Sequence, residues 1–333
     1  MSILKKALAA GAIVAAALAV AQPASAQDFR LALVVKNLGN GFFEAANKGA
    51  NEAAKEIGGV EVIYTAPTAP TAEGQIEILN SLIAQGVDAI AISANDPDAL
   101  VPTLKKAMDR GITVISWDSG VAPEGRQMHL NPSSSELIAR TQLKMAQDAM
   151  PEGKSQIAIL SATAQATNQN IWIEEMKKAL PDFADLELVT TVYGDDQTDK
   201  SYREALGLFQ SYPDLGVIIA PTTVGIAASA QAVEDQDLVG KVYVTGLGLP
   251  SEMAGHVHTG ATKSFAIWNP IDLGYAATQI AYNLAKGMAT AEPGAEIPMG
   301  RMGTVKLDDN NEGAMANPFE YDESNVDEYA QYF

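Results

Sequence analysis

The chain has 333 residues, with 41 acidic and 22 basic side chains and a formal net charge of −19. This length is enough for two domains with substantial cores, and the negative charge opposes binding to nucleic acid and to anionic lipid surfaces. The absence of cysteine excludes disulfides and thiol chemistry, and three histidines are a poor supply for acid–base or metal chemistry.

The first 26 residues have the order of a secretion signal. Lys5-Lys6 precede an apolar run over 7–21, and the small residues Ala24-Ser25-Ala26 follow. The apolar run is too short for a comfortable membrane span. We therefore expect a cleaved signal peptide over 1–26, with an uncleaved anchor as the alternative. Because the new N-terminus would be Gln27 and not cysteine, we expect a freely diffusing protein outside the cytoplasm and not a lipoprotein.

Strand-like and helix-like segments alternate along the rest of the chain. The first series has predicted strands at 31–35, 60–64, 88–93 and 112–117, and the second has them at 156–160, 186–193, 215–220, 241–246 and 264–268. Most of these strands are continuous apolar runs, which is typical of parallel sheets covered by helices on both faces. Two βα series of similar length predict an α/β protein with two Rossmann-like, doubly wound domains.

Ligands of open parallel sheets bind just beyond the carboxyl ends of the strands. The residues at these ends are Lys36, Asn37, Asn40, Ser93, Ala94, Asn95, Trp117, Asp118, Ser119, those from 162 to 169, Pro221, Thr222, Thr223, Leu247, Gly248, Trp268 and Asn269. Together with the family resemblance given below, they lead to the predicted binding set: Lys36, Asn40, Phe42, Asp118, Asn168, Gln169, Pro221, Thr222, Thr223, Trp268 and Asn269. Carboxylates and amides that accept and donate hydrogen bonds, together with flat aromatic faces, suit a polyhydroxylated ring.

Several of these residues have a structural alternative. Asp118 could cap the next segment, and Phe42 and Trp268 could be core residues. Asn168-Gln169 could be an ordinary helix start. Lys36 differs, because a lysine after a buried strand is costly unless it is paired, which favours a functional role.

The motifs of common enzyme classes are missing from the sequence. Gly39-Asn40-Gly41 is not the dinucleotide fingerprint, because Glu44 occupies its third glycine position. No Walker motif, no G-x-S-x-G and no cluster of metal-ligating residues occurs. We therefore predict a protein without enzymatic activity, cofactor or bound metal.

Two segments, 30–58 and 88–119, resemble the periplasmic pentose/hexose-binding proteins of the ribose-binding type. The first includes an Asn-x-Phe-Phe element that ends at Phe43, and Asp118 falls where that family places a hydroxyl-binding Asp. The resemblance covers nearly all of the chain after residue 26. It implies a type I periplasmic binding protein fold, a location in the periplasm and the role of solute-binding protein of an ABC importer.

The same resemblance implies a division into two lobes joined by a hinge. It places residues 27–131 and 269–297 in the N-terminal lobe, and residues 132–268 and 298–333 in the C-terminal lobe. The implied partners are a sugar and the membrane permease of the importer, and the protein is expected to be a monomer that does not bind nucleic acid.

Within this family, the segments 34–43, 116–120, 166–172 and 218–223 are most similar to the rhamnose-binding branch. The implied ligand is L-rhamnose or a similar 6-deoxyhexose. An autoinducer-2 receptor is the alternative, since that branch shares Lys36 and Asp118, but it has Asp in place of Asn168 and Ala in place of Thr223. Ribose itself is disfavoured, because Ser119 and Gly248 replace polar residues of the ribose-type pattern.

Overall fold

The computed structural model describes residues 29–333, so the predicted signal peptide lies outside the described residues. Within residues 29–333, no helix has both the length and the apolar character needed to cross a membrane.

The strands are β1 (Phe29–Val34), β2 (Val60–Thr65), β3 (Ala89–Ile92), β4 (Thr113–Trp117), β5 (Met128–Asn131), β6 (Gln156–Ser161), β7 (Glu187–Tyr193), β8 (Leu215–Ala220), β9 (Tyr243–Gly246), β10 (Ser264–Ile267), β11 (Glu296–Pro298), β12 (Thr304–Lys306), β13 (Glu312–Ala314) and β14 (Phe319–Asp322). The helices are α1 (Gly41–Ile57), α2 (Ala72–Gln85), α3 (Val101–Met108), α4 (Ser135–Ala149), α5 (Thr167–Ala179), α6 (Thr198–Ser211), α7 (Thr223–Asp235), α8 (Pro250–Thr259), α9 (Pro270–Ala285) and α10 (Val326–Tyr329).

The first lobe is built on a parallel sheet with the strand order β13-β5-β4-β3-β1-β2. Strands β3 and β4 are buried along their whole length, as continuous apolar strands require when helices cover both faces. Helices α1 and α9 pack on one face, where Leu31, Leu33, Phe43 and Ala46 belong to the same hydrophobic cluster. Helices α2 and α3 cover the other face.

The second lobe is built on the parallel sheet β7-β6-β8-β9. A bridge between Leu247 and Ala266 extends this sheet to β10, which pairs antiparallel with β14. Helices α4 and α5 cover one face, and α6, α7 and α8 lie toward the other. The two predicted doubly wound α/β units are therefore confirmed.

The chain crosses between the lobes three times, after β5, after β10 and after β13. Two of these crossings are paired, because the Met315 N–H donates to the Asn131 carbonyl at 2.9 Å and the Ala316 N–H donates to the Pro132 carbonyl at 3.0 Å. The third crossing runs through Trp268 directly into α9. Backbone segments of this kind can absorb a rotation of one lobe against the other.

The C-terminal tail is divided between the two lobes differently from the division expected from the sequence. Strand β13 pairs with β5, and β11 and β12 pack between α9 and β13. Residues 298–314 therefore belong with the first lobe, and their assignment to the second lobe was wrong. Only the stretch from β14 onward lies on the second lobe. These strands have three residues each, which is too short for a hydrophobic pattern to assign them to a sheet.

Helices α1 and α9 approach closely enough that glycine is required at their contact. A Cβ atom at Gly49 would overlap the carbonyl oxygen of Ile271, and one at Gly274 would overlap the carbonyl oxygen of Ala46. Because α9 follows directly from the Trp268 crossing, this contact anchors one hinge segment to the first lobe.

We predict opposite effects for two Gly→Ala substitutions in helices. Gly49→Ala should lower the free energy of unfolding by about 1–3 kcal/mol, since overpacking outweighs the gain in helix propensity. Gly207→Ala in α6 is the control, because no atom lies within 4 Å of the added methyl group, and it should stabilise by up to about 1 kcal/mol. Urea denaturation measures both, and equal stability of the two variants would refute the packing argument.

Candidate functional site

A cavity lies between the lobes, at the carboxyl ends of both sheets. It spans about 370 Å³, part of which is open to solvent. Ten of the eleven residues predicted from the sequence line it: Lys36, Asn40, Phe42, Asp118, Asn168, Gln169, Pro221, Thr222, Thr223 and Trp268. The strand-end rule therefore brings together side chains that are up to 232 positions apart in the sequence.

Asp118 is the first-lobe carboxylate of the cavity. It follows β4 with a left-handed backbone (φ 58°), a conformation that Asp tolerates better than most residues. Its Oδ2 accepts a hydrogen bond from the Ser93 hydroxyl at 2.7 Å, and its Oδ1 accepts one from the Asn168 amide at 2.9 Å. Both donors are side chains, so these two bonds do not cap the N-terminus of a helix.

Asn168 connects the lobes because its amide both donates and accepts. Its Nδ2 donates to Asp118, and its Oδ1 accepts from Lys36 Nζ at 3.0 Å. Asn168 lies in the first turn of α5 in the second lobe, whereas Lys36 and Asp118 follow β1 and β4 in the first. A carboxylate at position 168 could accept from Lys36 but could not donate to Asp118.

The electrostatics of the cavity are set by one cation and two carboxylates. Lys36 is 4% exposed, and Asp118 and Asp196 are also buried. Burial raises the pKa of Asp118 and of Asp196, and the positive charge of Lys36 offsets part of that rise. With both carboxylates ionised the cavity carries an excess negative charge, so it disfavours anions, and the carboxylates can accept hydrogen bonds from ligand hydroxyl groups.

Asp196 was not among the predicted residues. It follows β7, has a left-handed backbone like its neighbour Asp195, and accepts a hydrogen bond from the Thr222 hydroxyl. Applying the strand-end rule to the segment Gly194-Asp195-Asp196 would have found it.

Three aromatic side chains form the apolar wall of the cavity. Trp268 meets Phe42 edge-on, with ring centroids 6.2 Å apart, and lies 5.7 Å from the Trp172 ring. Trp172 was absent from the predicted set. The indole N–H of Trp268 is buried and has no hydrogen-bond partner among residues 29–333. A buried donor without an acceptor is costly, which makes this N–H a candidate contact for a ligand oxygen.

The remaining polar residues of the cavity also form hydrogen bonds that stabilise the local structure around it. Asn40 N-caps α1 by accepting from the Phe42 N–H at 3.0 Å, and the Thr223 hydroxyl lies 3.4 Å from the same Asn40 oxygen across the cleft. Gln169 Oε1 accepts from the Ser161 hydroxyl and the Ala162 N–H, both at 2.7 Å. These bonds leave the Gln169 amide nitrogen available as a donor.

Asn269 does not line this cavity, so its predicted place there was wrong. Its Oδ1 accepts from the Ile271 and Asp272 N–H groups at 2.9 and 3.4 Å, and it N-caps α9. Pro270 occupies the first position of that helix, and an Asn before such a helix satisfies its free N–H groups.

Comparison with known proteins agrees with this architecture. Residues 31–289 match the periplasmic binding protein domain, and the chain belongs to this family. A D-ribose/D-allose-binding protein of Pseudomonas aeruginosa is 28% identical over 228 residues, which are 65% of this chain and 70% of that protein.

Two solved structures have closely similar folds. An ABC transporter solute-binding protein from Clostridium phytofermentas with bound L-rhamnose is 35% identical, with a TM-score of 0.87, and the match covers 91% of this chain and 98% of that one. LsrB from Clostridium saccharobutylicum in complex with AI-2 has a TM-score of 0.85 over 90% of this chain and 99% of that one. At 23% identity, the second match shows the fold alone. On these family relationships the chain is a binding protein and not an enzyme.

The charge arrangement predicts that the variant Lys36→Met loses folding stability to an extent that depends on pH. Without the ammonium, burial of Asp118 and Asp196 is no longer offset, and both pKa values rise further. A raised pKa in the folded state costs no stability below the unfolded pKa, and the cost grows as pH rises from the unfolded pKa to the folded pKa, above which it is constant. The variant should therefore lose on the order of 3 kcal/mol at neutral pH, and far less near about pH 4.

Urea denaturation at both pH values measures this difference. Lys144→Met is the control, because Lys144 is exposed and pairs with the exposed Asp148, and its effect should stay within about 0.5 kcal/mol. An equal loss at both pH values in Lys36→Met would contradict the assigned role of Lys36.

Proposed function

We propose that the protein captures a neutral sugar in the interlobe cavity and delivers it to an ABC importer from the periplasm. The observation that carries the proposal is the chain of hydrogen bonds from Lys36 through Asn168 to Asp118, which spans the cleft. It places donors and acceptors from both lobes around one enclosed space, beside an aromatic wall.

The polar groups of the cavity match both hydrogen-bonding roles of a sugar hydroxyl, which donates one hydrogen bond and accepts others. Asp118 and Asp196 can accept from hydroxyl groups, and such charge-assisted bonds are stronger than neutral ones. Lys36, the Gln169 amide and the Trp268 indole supply donors. Phe42 and Trp268, with Trp172 beside them, offer apolar contact to the C–H groups of the ring.

Ligand capture is coupled to closure of the lobes in this proposal. A sugar that contacts Asp118 and Asp196 together can do so only when the lobes are closed, so it shifts the population toward the closed form. The three crossing segments provide the hinge. The rim of the closed lobes is then the surface presented to the permease, and the protein acts as a monomer.

Among sugars, we propose L-rhamnose or a similar 6-deoxyhexose as the ligand. The solute-binding protein with bound L-rhamnose is the relative that supports this choice, and the apolar wall can accommodate a methyl group. Ribose is disfavoured, because Ser119 and Gly248 stand where the ribose-type pattern has its polar groups. Autoinducer-2 remains the alternative that shares Lys36 and Asp118.

A thermal-shift screen of residues 27–333 tests the function. The ligands are L-rhamnose, D-fucose, L-fucose, ribose, erythritol and autoinducer-2. A ligand present at about 100 times its Kd adds about 2.7 kcal/mol to the stability of the folded state, so we expect a clear rise in Tm with L-rhamnose and little with ribose. A strong response to autoinducer-2 alone would overturn the choice of sugar, and no response to any compound would overturn the proposed function.

A further inference from the structure

A second chamber adjoins the proposed sugar cavity on the side of Asp118. It opens partly to solvent, as the first cavity does, and spans about 560 Å³ including that open part. Both spaces are lined by Asp118, Asn168 and Trp172. The second chamber therefore lies directly beside the first cavity, with lining residues from both lobes.

The side chains common to the two spaces include a hydrogen-bonded pair. Asn168 Nδ2 donates to Asp118 Oδ1 at 2.9 Å, and Trp172 is the aromatic residue that lines both spaces. A ligand hydroxyl group that donates to Asp118 can replace the Asn168 bond, because a carboxylate oxygen accepts from either donor.

Beyond Asp118, the chamber offers a surface of mixed polarity without net charge. Pro97, Val121, Ala122 and Ile171 contribute apolar contact from both lobes. Arg126 and Glu312 also line the chamber, but they neutralise each other in an ion pair. The Thr167 hydroxyl is buried and has no hydrogen-bond partner among residues 29–333. A largely apolar surface suits a second sugar ring better than an ion, and the free Thr167 hydroxyl can form a hydrogen bond with that ring.

The chamber also extends toward solvent. Ile171, on its second-lobe side, is 46% exposed. A substituent on the bound sugar therefore has space between the closed lobes and a route to the surface.

We propose that the second chamber is a subsite for a sugar ring linked glycosidically to the ring in the first cavity, so that the protein accepts a disaccharide as well as a monosaccharide. This inference rests on the proposed function. It assigns the first ring to the cavity of Lys36 and Asp196, and the second ring to the chamber beyond Asp118 and Asn168.

Calorimetric titration with two probes tests the subsite. The probes are L-rhamnose and a disaccharide whose non-reducing end is L-rhamnose. Two variants narrow the chamber from opposite lobes, Ala122→Trp and Ile171→Trp. Ala184→Trp is the matched control, since Ala184 is exposed and does not line the chamber. Because Ile171 is largely exposed, its variant keeps the test valid if Ala122→Trp does not fold.

We expect the wild type to bind both probes. Either chamber variant should weaken disaccharide binding by at least about tenfold, or about 1.4 kcal/mol, while L-rhamnose affinity changes by less than about twofold and the control changes neither. Binding of L-rhamnose without the disaccharide, or equal weakening of both probes in the variants, would overturn the subsite and leave the proposed function intact. If neither probe binds and no compound raises the Tm in the thermal-shift screen, both the proposed function and the subsite are overturned.

Discussion

The structure of the site depends on a lysine that is buried together with carboxylates from both lobes. An isolated ammonium is costly to remove from water, so Lys36 requires the negative charges of Asp118 and Asp196. Because Asp118 follows β4 and Asp196 follows β7, the charges can be compensated in this way only when the lobes face each other. Asn168 completes the arrangement by bonding to Lys36 and Asp118 at once.

The fold supplies this arrangement through the ends of parallel strands. Each sheet directs its carboxyl ends toward the cleft, so short loops after β1, β4, β7 and β8 deliver the polar groups. The left-handed backbones of Asp118 and Asp196 occur in two of these loops. The α1–α9 glycine contact fixes the hinge segment that carries Trp268. The helices and the hinge therefore position side chains that carry the proposed recognition.

Much of this could be predicted from the sequence, because continuous apolar strands and strand-end positions are local patterns. The two α/β units and ten cavity residues followed from them. Asn269 was misplaced because its local role as an N-cap competes with a site role, and sequence alone does not decide between them. Trp172 lies inside a helix, where an aromatic residue is usually core. The β11–β13 segment has too few residues for periodicity to show which sheet it joins.

The most direct test of the central claim is calorimetric titration of Asp118→Ala with the sugar that gives the strongest response in the screen. The account predicts that this variant stays folded and loses at least about 3 kcal/mol of binding free energy, because two charge-assisted hydrogen bonds are removed. Asp148→Ala, at an exposed carboxylate, should bind as the wild type does. Near wild-type affinity in Asp118→Ala would show that the buried charge arrangement is structural and that the sugar is bound elsewhere.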